Sequence, residues 1–175
     1  METSVIFSGF GGQGILFMGK FFAYFGLLSG YEVSWIPSYG AEMRGGAANC
    51  GVRVSKAPIG SPVVDKPDTL VCMSLAALNK YENMLEPGGM LFVDNSTFTQ
   101  KSSRDVTAHY AAASLTADEN GIKALANMVM MGKILAVKNL YDKDLVYETM
   151  RKTVPERKKD LFDSNIFAIE LGGKL

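Results

Sequence analysis

The sequence has 175 residues, a length that suits one compact domain, and no composition shift or repeat divides it. Its 18 lysines and arginines balance 18 aspartates and glutamates, which argues against a broad basic face for nucleic acid. With 47% hydrophobic and 21% charged residues the composition excludes a disordered chain. Glycine stands out, because several of its 18 residues bunch in two short segments.

Neither a membrane segment nor a metal centre is predicted. The start of the sequence lacks the basic region of a signal peptide, and the longest apolar stretch, residues 122–140, contains three lysines, which favours a buried helix over a membrane span. Cys50 and Cys72 have neither CxxC spacing nor a histidine cluster nearby, so a zinc site or an iron–sulfur cluster within this chain is not expected. We expect reduced, buried thiols in a cytoplasmic protein.

The opening segment predicts a strand, a glycine turn and a helix. Residues 4–9 form a short apolar run that ends in glycine, which indicates a buried strand. Residues 15–28 are rich in Phe, Leu and Met and predict a helix that stops at Ser29 and Gly30. Residues 31–36 predict a second strand, so the opening reads as βαβ, the unit of a parallel sheet.

Further elements complete an α/β pattern. Residues 50–54 alternate as a strand with one buried face, further strands are predicted over 69–73, 90–94 and 105–110, and a helix over 75–85. Apolar residues at helical spacing predict a helix over 122–140, Asp142 can cap the next one, and Pro155 suits the first turn of a last helix that ends at 172–173. The predicted fold is a three-layer, Rossmann-like α/β domain over residues 1–175, with a largely parallel, mixed sheet and a helical carboxy-terminal third.

The first glycine cluster has the spacing of a phosphate-binding turn. Gly9, Gly11 and Gly14 fit GxGxxG between a predicted strand and a predicted helix, an arrangement that lets helix amides approach a phosphate. A nicotinamide site also needs a carboxylate at the end of the second strand, and residues 34–38 (SWIPS) supply none. The alternative to a binding site is that the glycines only let the helix and the sheet pack closely.

The second cluster, PSYGAEMRGG at residues 37–46, follows the second predicted strand. It is therefore expected at the same carboxyl edge of the sheet as the first cluster, where ligands of open α/β sheets bind. Ser38, Tyr39, Glu42 and Arg44 bring hydroxyl, carboxylate and guanidinium groups to that edge, and Arg44 can hold a phosphate or carboxylate. The alternative is an exposed Glu42–Arg44 ion pair of little energetic value.

Together, GFGGQG at 9–14 and PSYGAEMRGG at 37–46 resemble the gamma subunit of the 2-oxoacid:acceptor oxidoreductases, which act on pyruvate, 2-oxoisovalerate or 2-oxoglutarate. The resemblance continues into residues 127–129 and 170–172 and so covers nearly the whole chain. The form of the second motif favours the 2-oxoglutarate or branched-chain type over pyruvate. A histidine-containing loop before RGG would instead be typical of the related indolepyruvate oxidoreductase small subunit.

The resemblance implies a part of an enzyme rather than a whole one. Family members decarboxylate a 2-oxoacid oxidatively, form its acyl-coenzyme A and reduce ferredoxin or flavodoxin. Thiamine diphosphate with Mg²⁺ and iron–sulfur clusters carry that chemistry in other subunits. We expect this chain to bind none of them alone, to be inactive in isolation, and to assemble with alpha, beta and ferredoxin-like delta subunits, with no nucleic acid or membrane as partner.

By the same resemblance the chain helps to form the region where coenzyme A enters, and no catalytic or metal-binding residue is expected in it. Backbone amides of the first cluster are expected to bind a phosphate or another polar group. Side chains of the second cluster are expected to line the same edge of the sheet, and an asparagine in the predicted 122–140 helix is expected to complete that edge. These candidates are Gly11, Gly12, Gln13, Gly14, Ser38, Tyr39, Glu42, Arg44 and Asn127. A satisfied core asparagine is the alternative for Asn127, and a free-standing dinucleotide-binding oxidoreductase is the alternative for the whole chain.

Overall fold

The structure is a computed structural model that describes residues 2–38, 47–155 and 158–175, with only the backbone of residue 159. The described residues form one six-stranded mixed sheet in the order β2-β3-β1-β4-β5-β6. The strands are β1 Thr3–Phe10, β2 Glu32–Ser38, β3 Ala47–Ser55, β4 Thr69–Cys72, β5 Met90–Asp94 and β6 Thr107–Ala111. The predicted α/β class with a mixed, largely parallel sheet is therefore confirmed.

Strand β3 lies between the two strands of the predicted βαβ unit. Strands β1, β4, β5 and β6 pair in parallel, whereas β3 pairs antiparallel with both β1 and β2. The chain thus returns from β2 as a hairpin, and β3 is inserted between β1 and β2. Strands β1 and β2 therefore run in the same direction, as the predicted βαβ unit requires, although they are not neighbours. The alternating pattern of β3 indicates a strand without indicating which strands it joins.

Helices cover the two faces of the sheet unequally. The helices are α1 Ile15–Leu28, α2 Leu75–Tyr81, α3 Ala113–Glu119, α4 Ala126–Val137, α5 Lys143–Thr153 and α6 Lys159–Gly172. On one face Phe7 and Phe92 belong to a large apolar cluster shared with α1, α3, α4, α5 and α6. On the other face Ile6 and Leu91 belong to a smaller cluster completed by α2 and Val64. The predicted three layers are present, with most helical mass on one side.

Helices α4 and α6 pack with their backbones in contact. An added Cβ at Gly132 would overlap the carbonyl oxygen of Ile169, and one at Gly172 would overlap that of Val129. Val129 and Ile169 are fully buried at this crossing. The two glycines therefore permit an interhelical distance that a side chain of any size would increase.

Several predicted helix boundaries change. The helix predicted over 122–140 begins as a 3₁₀ turn over Lys123–Leu125 and becomes α-helical as α4, and α2 likewise ends in a 3₁₀ turn over Glu82–Met84. Helix α3 was absent from the sequence prediction. The last helix, α6, begins at Lys159, so Pro155 precedes its first turn rather than lying in it. Asp142 does cap α5, because its side chain accepts a hydrogen bond from the amide of Leu145.

Candidate functional site

The first glycine cluster forms a tight turn between β1 and α1. The amide of Gln13 donates to the carbonyl of Phe10 at 3.2 Å, and Gly12 has φ +95°, a conformation that side chains disfavour. Gly11 and Gly12 are exposed, and among the described residues their amides find no acceptor. Within the described part of the chain, the turn therefore offers two N–H groups without an acceptor beside the amino end of a helix, where an anion is stabilised.

Gln13 holds this turn against the sheet. Its side-chain Oε1 accepts from the amide of Phe10 at 2.6 Å, and its Nε2 donates to the carbonyl of Met73 at 3.0 Å. The side chain thus bridges the carboxyl ends of β1 and β4. A Cβ at Gly9 would lie 2.5 Å from Oε1 of Gln13, so glycine at position 9 makes room for this bridge. Gln13 fills the crevice in which an open α/β sheet of the dinucleotide-binding type places its ligand.

Asn127 reaches the same turn from α4. Its Nδ2 donates to the carbonyl of Gly14 at 3.0 Å, and a Cβ at Gly14, which has φ +70°, would overlap that amide. The side chain is 3% exposed, and its Oδ1 has no hydrogen-bond partner among the described residues. The structure therefore brings Asn127 together with the glycine turn. The alternative interpretation, a core asparagine with all its hydrogen bonds made, is met only for Nδ2, since Oδ1 has no partner among the described residues.

The second cluster lies mostly outside the described residues. Ser38 ends β2 as an exposed residue and pairs with Asn49 of β3, which in turn pairs with Ser8 near the end of β1. The two strand ends that carry the glycine clusters are therefore at the same edge of the sheet. Three of the predicted site residues, Tyr39, Glu42 and Arg44, fall outside the described residues.

A cavity of about 330 Å³, here called the front cavity, opens beside the turn. Gly12 and Gln13 line it together with Ser96, Ser114 and Lys123. Sequence reasoning missed these last three, because Ser96 lies in the loop after β5, Ser114 in the first turn of α3 and Lys123 in the 3₁₀ turn before α4. The only available signal was Asp94 and Ser96 at the end of a predicted strand, since polar residues there commonly line the ligand edge.

A buried carboxylate orders the far wall of the front cavity. Asp94 is 3% exposed, and its Oδ1 accepts from the amide of Ser96 at 3.1 Å and from the hydroxyl of Ser96 at 2.5 Å. Its Oδ2 accepts from the amide of Ser114 at 3.2 Å and from the Ser114 hydroxyl. The carboxylate ties the loop after β5 to the start of α3, which fixes the two serines at the cavity wall.

Lys123 supplies the positive charge of the front cavity. It forms an ion pair with Asp118 at 3.5 Å, and the two side chains are 80% and 55% exposed. An exposed pair of this length is held weakly. The ammonium group can therefore exchange Asp118 for an anionic ligand in the cavity.

The remaining candidate ligating groups do not converge. Cys50 and Cys72 are buried in the apolar clusters on opposite faces of the sheet, and burial raises the pKa of each thiol to about 12. His109 stacks on Phe92 at 5.1 Å between ring centroids. Among residues 2–38, 47–155 and 158–175, no group of three or more His, Cys, Asp or Glu side chains is arranged to hold a metal. No described helix is long and apolar enough to cross a bilayer.

Comparison with known proteins gives a consistent family. The family model described as pyruvate ferredoxin/flavodoxin oxidoreductase matches residues 4–175. The ketoisovalerate oxidoreductase subunit VorA of Methanothermobacter thermautotrophicus is 34% identical over 174 residues, which cover 99% of this chain and 36% of VorA. The 2-oxoglutarate synthase subunit KorC of Methanocaldococcus jannaschii is 34% identical over 176 residues, covering 98% of this chain and 92% of KorC. The chain thus spans about a third of VorA but nearly all of KorC.

Solved structures show the same fold. The gamma subunit of a keto/oxoacid ferredoxin oxidoreductase from Geobacter sulfurreducens superposes with a TM-score of 0.82 at 25% identity, covering 98% of this chain and 96% of that one. A 2-oxoglutarate:ferredoxin oxidoreductase from Magnetococcus marinus, solved with 2-oxoglutarate, coenzyme A and succinyl-CoA bound, superposes with a TM-score of 0.88 at 23% identity. That match covers 99% of this chain and 30% of the Magnetococcus chain.

Proposed function

The chain belongs to the pyruvate ferredoxin/flavodoxin oxidoreductase family, and from this premise we propose that it is the gamma subunit of a 2-oxoacid:ferredoxin oxidoreductase that contributes to the coenzyme A site. The assembled enzyme converts a 2-oxoacid to its acyl-CoA and passes the electrons to ferredoxin or flavodoxin. The observation that carries the proposal is the Gly11–Gly12 turn at the carboxyl edge of the sheet, whose amides have no acceptor among the described residues.

The chemistry proposed for this chain is binding and orientation. The amides of Gly11 and Gly12 donate to phosphate oxygens of coenzyme A, and Lys123 adds a cation at the same edge. Gln13 keeps the turn in place through bonds to two strand ends, so little conformational entropy is lost on binding. Arg44, placed by its sequence position after β2, is proposed to pair with a further anionic group.

Thiamine diphosphate, Mg²⁺ and the iron–sulfur clusters are proposed to belong to the partner subunits. When bound there, they supply decarboxylation and electron transfer. The cysteines of this chain do not fit a cluster, because they lie on opposite faces of the sheet and their raised pKa disfavours the thiolate that ligates iron. The proposed partners are the alpha, beta and delta subunits, in a cytoplasmic complex.

A branched-chain 2-oxoacid or 2-oxoglutarate is proposed as substrate in preference to pyruvate. Identity is 34% with the ketoisovalerate subunit VorA and 34% with the 2-oxoglutarate subunit KorC of M. jannaschii. It falls to 26% with the pyruvate synthase subunit PorC of Methanothermobacter marburgensis. The lower identity with the pyruvate subunit agrees with the second glycine motif, whose form also favours a 2-oxoglutarate or branched-chain type.

A free-standing dinucleotide-binding oxidoreductase is the less favoured function. The side chain of Gln13 occupies the crevice between the carboxyl ends of β1 and β4. In addition, β2 ends in Ser38, which cannot hold two ribose hydroxyls as a carboxylate does.

Reconstitution of this chain with the alpha, beta and delta subunits proposed as its partners tests the proposal. The assay is 2-oxoacid-dependent and coenzyme A-dependent reduction of ferredoxin, with 2-oxoglutarate, 2-oxoisovalerate and pyruvate as substrates. Arg44→Ala should raise the KM for coenzyme A about tenfold or more, the value of one charge-assisted hydrogen bond, and leave the KM for the 2-oxoacid unchanged.

The matched control is Lys66→Ala, because Lys66 is an exposed cation near the start of β4, at the opposite edge of the sheet. It should leave both constants unchanged. Full activity of the partner chains without this one would contradict the proposal, as would an unchanged KM for coenzyme A in the Arg44→Ala complex.

A further inference from the structure

Lys138 directly follows α4, and its side chain reaches the start of β4, at the edge of the sheet opposite the glycine turn. Its Nζ donates to the hydroxyl of Thr69 at 2.8 Å. Thr69 is fully buried, whereas Lys138 is partly exposed. Within the part of the chain whose side chains are described, the other lysine with a side-chain hydrogen bond is Lys123, and its partner Asp118 is exposed. Lys138 therefore differs from Lys123 in having a partner in the protein interior.

The hydroxyl of Thr69 connects the lysine nitrogen to a carboxylate. Thr69 Oγ1 donates to Oδ1 of Asp68 at 2.7 Å, and the hydroxyl of Thr3 donates to the same oxygen at 2.6 Å. The second carboxylate oxygen accepts from the amide of Ser4 at 2.7 Å, which holds the carboxylate in place. Because Thr69 gives its own proton to Asp68, its oxygen is the acceptor for Lys138. The three residues Lys138, Thr69 and Asp68, here called the lysine relay, can therefore pass a proton from nitrogen to carboxylate.

The surroundings of Lys138 also favour its neutral amine. Burial lowers the pKa of the ammonium group, and the charge of Asp68 opposes this effect to a smaller extent. The neutral amine is the nucleophilic form of a lysine, and desolvation is one of the ways in which proteins activate it. The lysine relay adds a base that takes up the proton that the nitrogen loses when it attacks an electrophile.

We propose that the lysine relay makes Lys138 a site of acylation by an acyl thioester. The amine nitrogen attacks the carbonyl carbon of the thioester, so that an N–C bond forms and the C–S bond breaks. The proton that the nitrogen loses passes through the hydroxyl of Thr69 to Asp68 and then to solvent, and the leaving thiolate takes up one proton from solvent. The products are an amide on Lys138 and a free thiol, so the step needs no oxidant and no further reactant.

The acyl thioester can come from the enzyme itself. Acyl-CoA is the product of the proposed reaction, so this source rests on the proposed function, whereas the reactivity of Lys138 does not depend on it. The amide that forms has no charge, and Asp68 then loses the cation that faces it at this edge of the sheet. Acylation therefore marks chains that are exposed to accumulated acyl-CoA.

Incubation of the purified 175-residue chain with millimolar acetyl-CoA tests this inference, with each acetylated lysine identified by mass spectrometry after proteolysis. Lys138 should be acetylated roughly threefold or more faster than Lys66, an exposed lysine near the start of the same strand, because Lys138 has a base in place and more of its amine is neutral. In urea, which unfolds the chain, the two rates should become equal. This comparison needs no variant and so does not depend on how a variant folds.

Two substitutions at Thr69 separate the lysine relay from burial alone. Thr69→Val removes the hydroxyl and should slow the acetylation of Lys138 to the rate of Lys66 or below, whereas Thr69→Ser keeps the hydroxyl and should keep the fast rate. If burial alone set the reactivity, Thr69→Val would leave the rate unchanged or increase it, because it removes an acceptor that stabilises the ammonium group. Circular dichroism of both variants checks that they are folded.

An unchanged or faster rate in Thr69→Val overturns the inference. A rate for Lys138 in the folded chain that is no faster than that for Lys66 overturns it as well. Because acetyl-CoA is added to the isolated chain, these outcomes are independent of the KM test on Arg44→Ala.

Discussion

The contact between α4 and α6 predicts opposite effects for the same substitution at two adjacent positions. At Gly172 an added Cβ would overlap the backbone carbonyl oxygen of Val129, an atom that cannot rotate away. The helices would have to separate by on the order of 1 Å to restore normal contact, which loosens the buried packing around Ile169. At Gly173, which is exposed and has helical φ −65° and ψ −14°, the nearest atoms to an added Cβ are 3.7 Å away.

The magnitudes follow from these contacts. In Gly172→Ala, overpacking against a backbone atom should lower the free energy of unfolding by about 3 kcal/mol. The better helix propensity of alanine should offset about 1 kcal/mol of this loss. The remaining ~2 kcal/mol corresponds to a loss of about 4–8 °C in Tm for a domain of this size. Gly173→Ala, free of the overlap, should be neutral or raise Tm by about 1–3 °C through its effect on the unfolded chain.

Thermal unfolding followed by circular dichroism, with urea unfolding as a second measure, compares the two variants with the unchanged protein. A double variant with Gly132→Ala should be destabilised further, since both glycines lie at one crossing. If Gly172→Ala and Gly173→Ala shift Tm equally, α4 and α6 are not in backbone contact and the reasoning is refuted.

Three further predictions concern buried and partly buried polar groups. Gln13→Glu keeps the oxygen that accepts from the amide of Phe10 but places a carboxylate against the carbonyl of Met73, which raises the pKa of the new glutamate in the folded state. The free energy of unfolding should be near that of the original protein at low pH and fall by about 1–3 kcal/mol as pH rises through that pKa. Urea unfolding at several pH values measures this change. Because burial raises the pKa of Cys50 and Cys72 to about 12, neither thiol should react with a disulfide reagent at pH 8 until urea unfolds the chain, and rapid labelling of the native protein would contradict their burial. Burial and, to a smaller extent, the charge of Lys133 lower the pKa of His109, so Lys133→Gln should raise the midpoint of its NMR titration, and an unchanged midpoint would exclude that charge as a cause.

Local patterns predicted the elements around the glycine turn well. The helix predicted over 15–28 has the observed bounds of α1, and the strand predicted over 90–94 matches β5. Both segments are mainly apolar and directly follow a glycine, Gly14 for α1 and Gly89 for β5, so local propensity and burial predict the same element there. Helix α3 was missed because it is seven residues long, contains two polar hydroxyls and has no side-chain cap at Ala112.

The order of the strands in the sheet could not be predicted from the periodicity of the sequence. The alternation of residues 50–54 fixes which face of β3 is buried, yet the same alternation suits an edge or an internal strand. In the candidate site, GxGxxG spacing correctly indicated a turn before a helix. It did not indicate that Gln13 would fill the crevice, since that depends on the carbonyl of Met73 in another part of the chain.

The insertion of β3 has a consequence for how this family can diverge. Ser38 ends β2 and Ala47 begins β3, and because these two strands pair, the sheet fixes both ends of the intervening segment. Doubling the length of such a closure costs only about 0.6 kcal/mol. Insertions between these two strand ends should therefore have only a small effect on the free energy of folding. The length of the chain between β2 and β3 can therefore change while the pairing of the two strands stays the same.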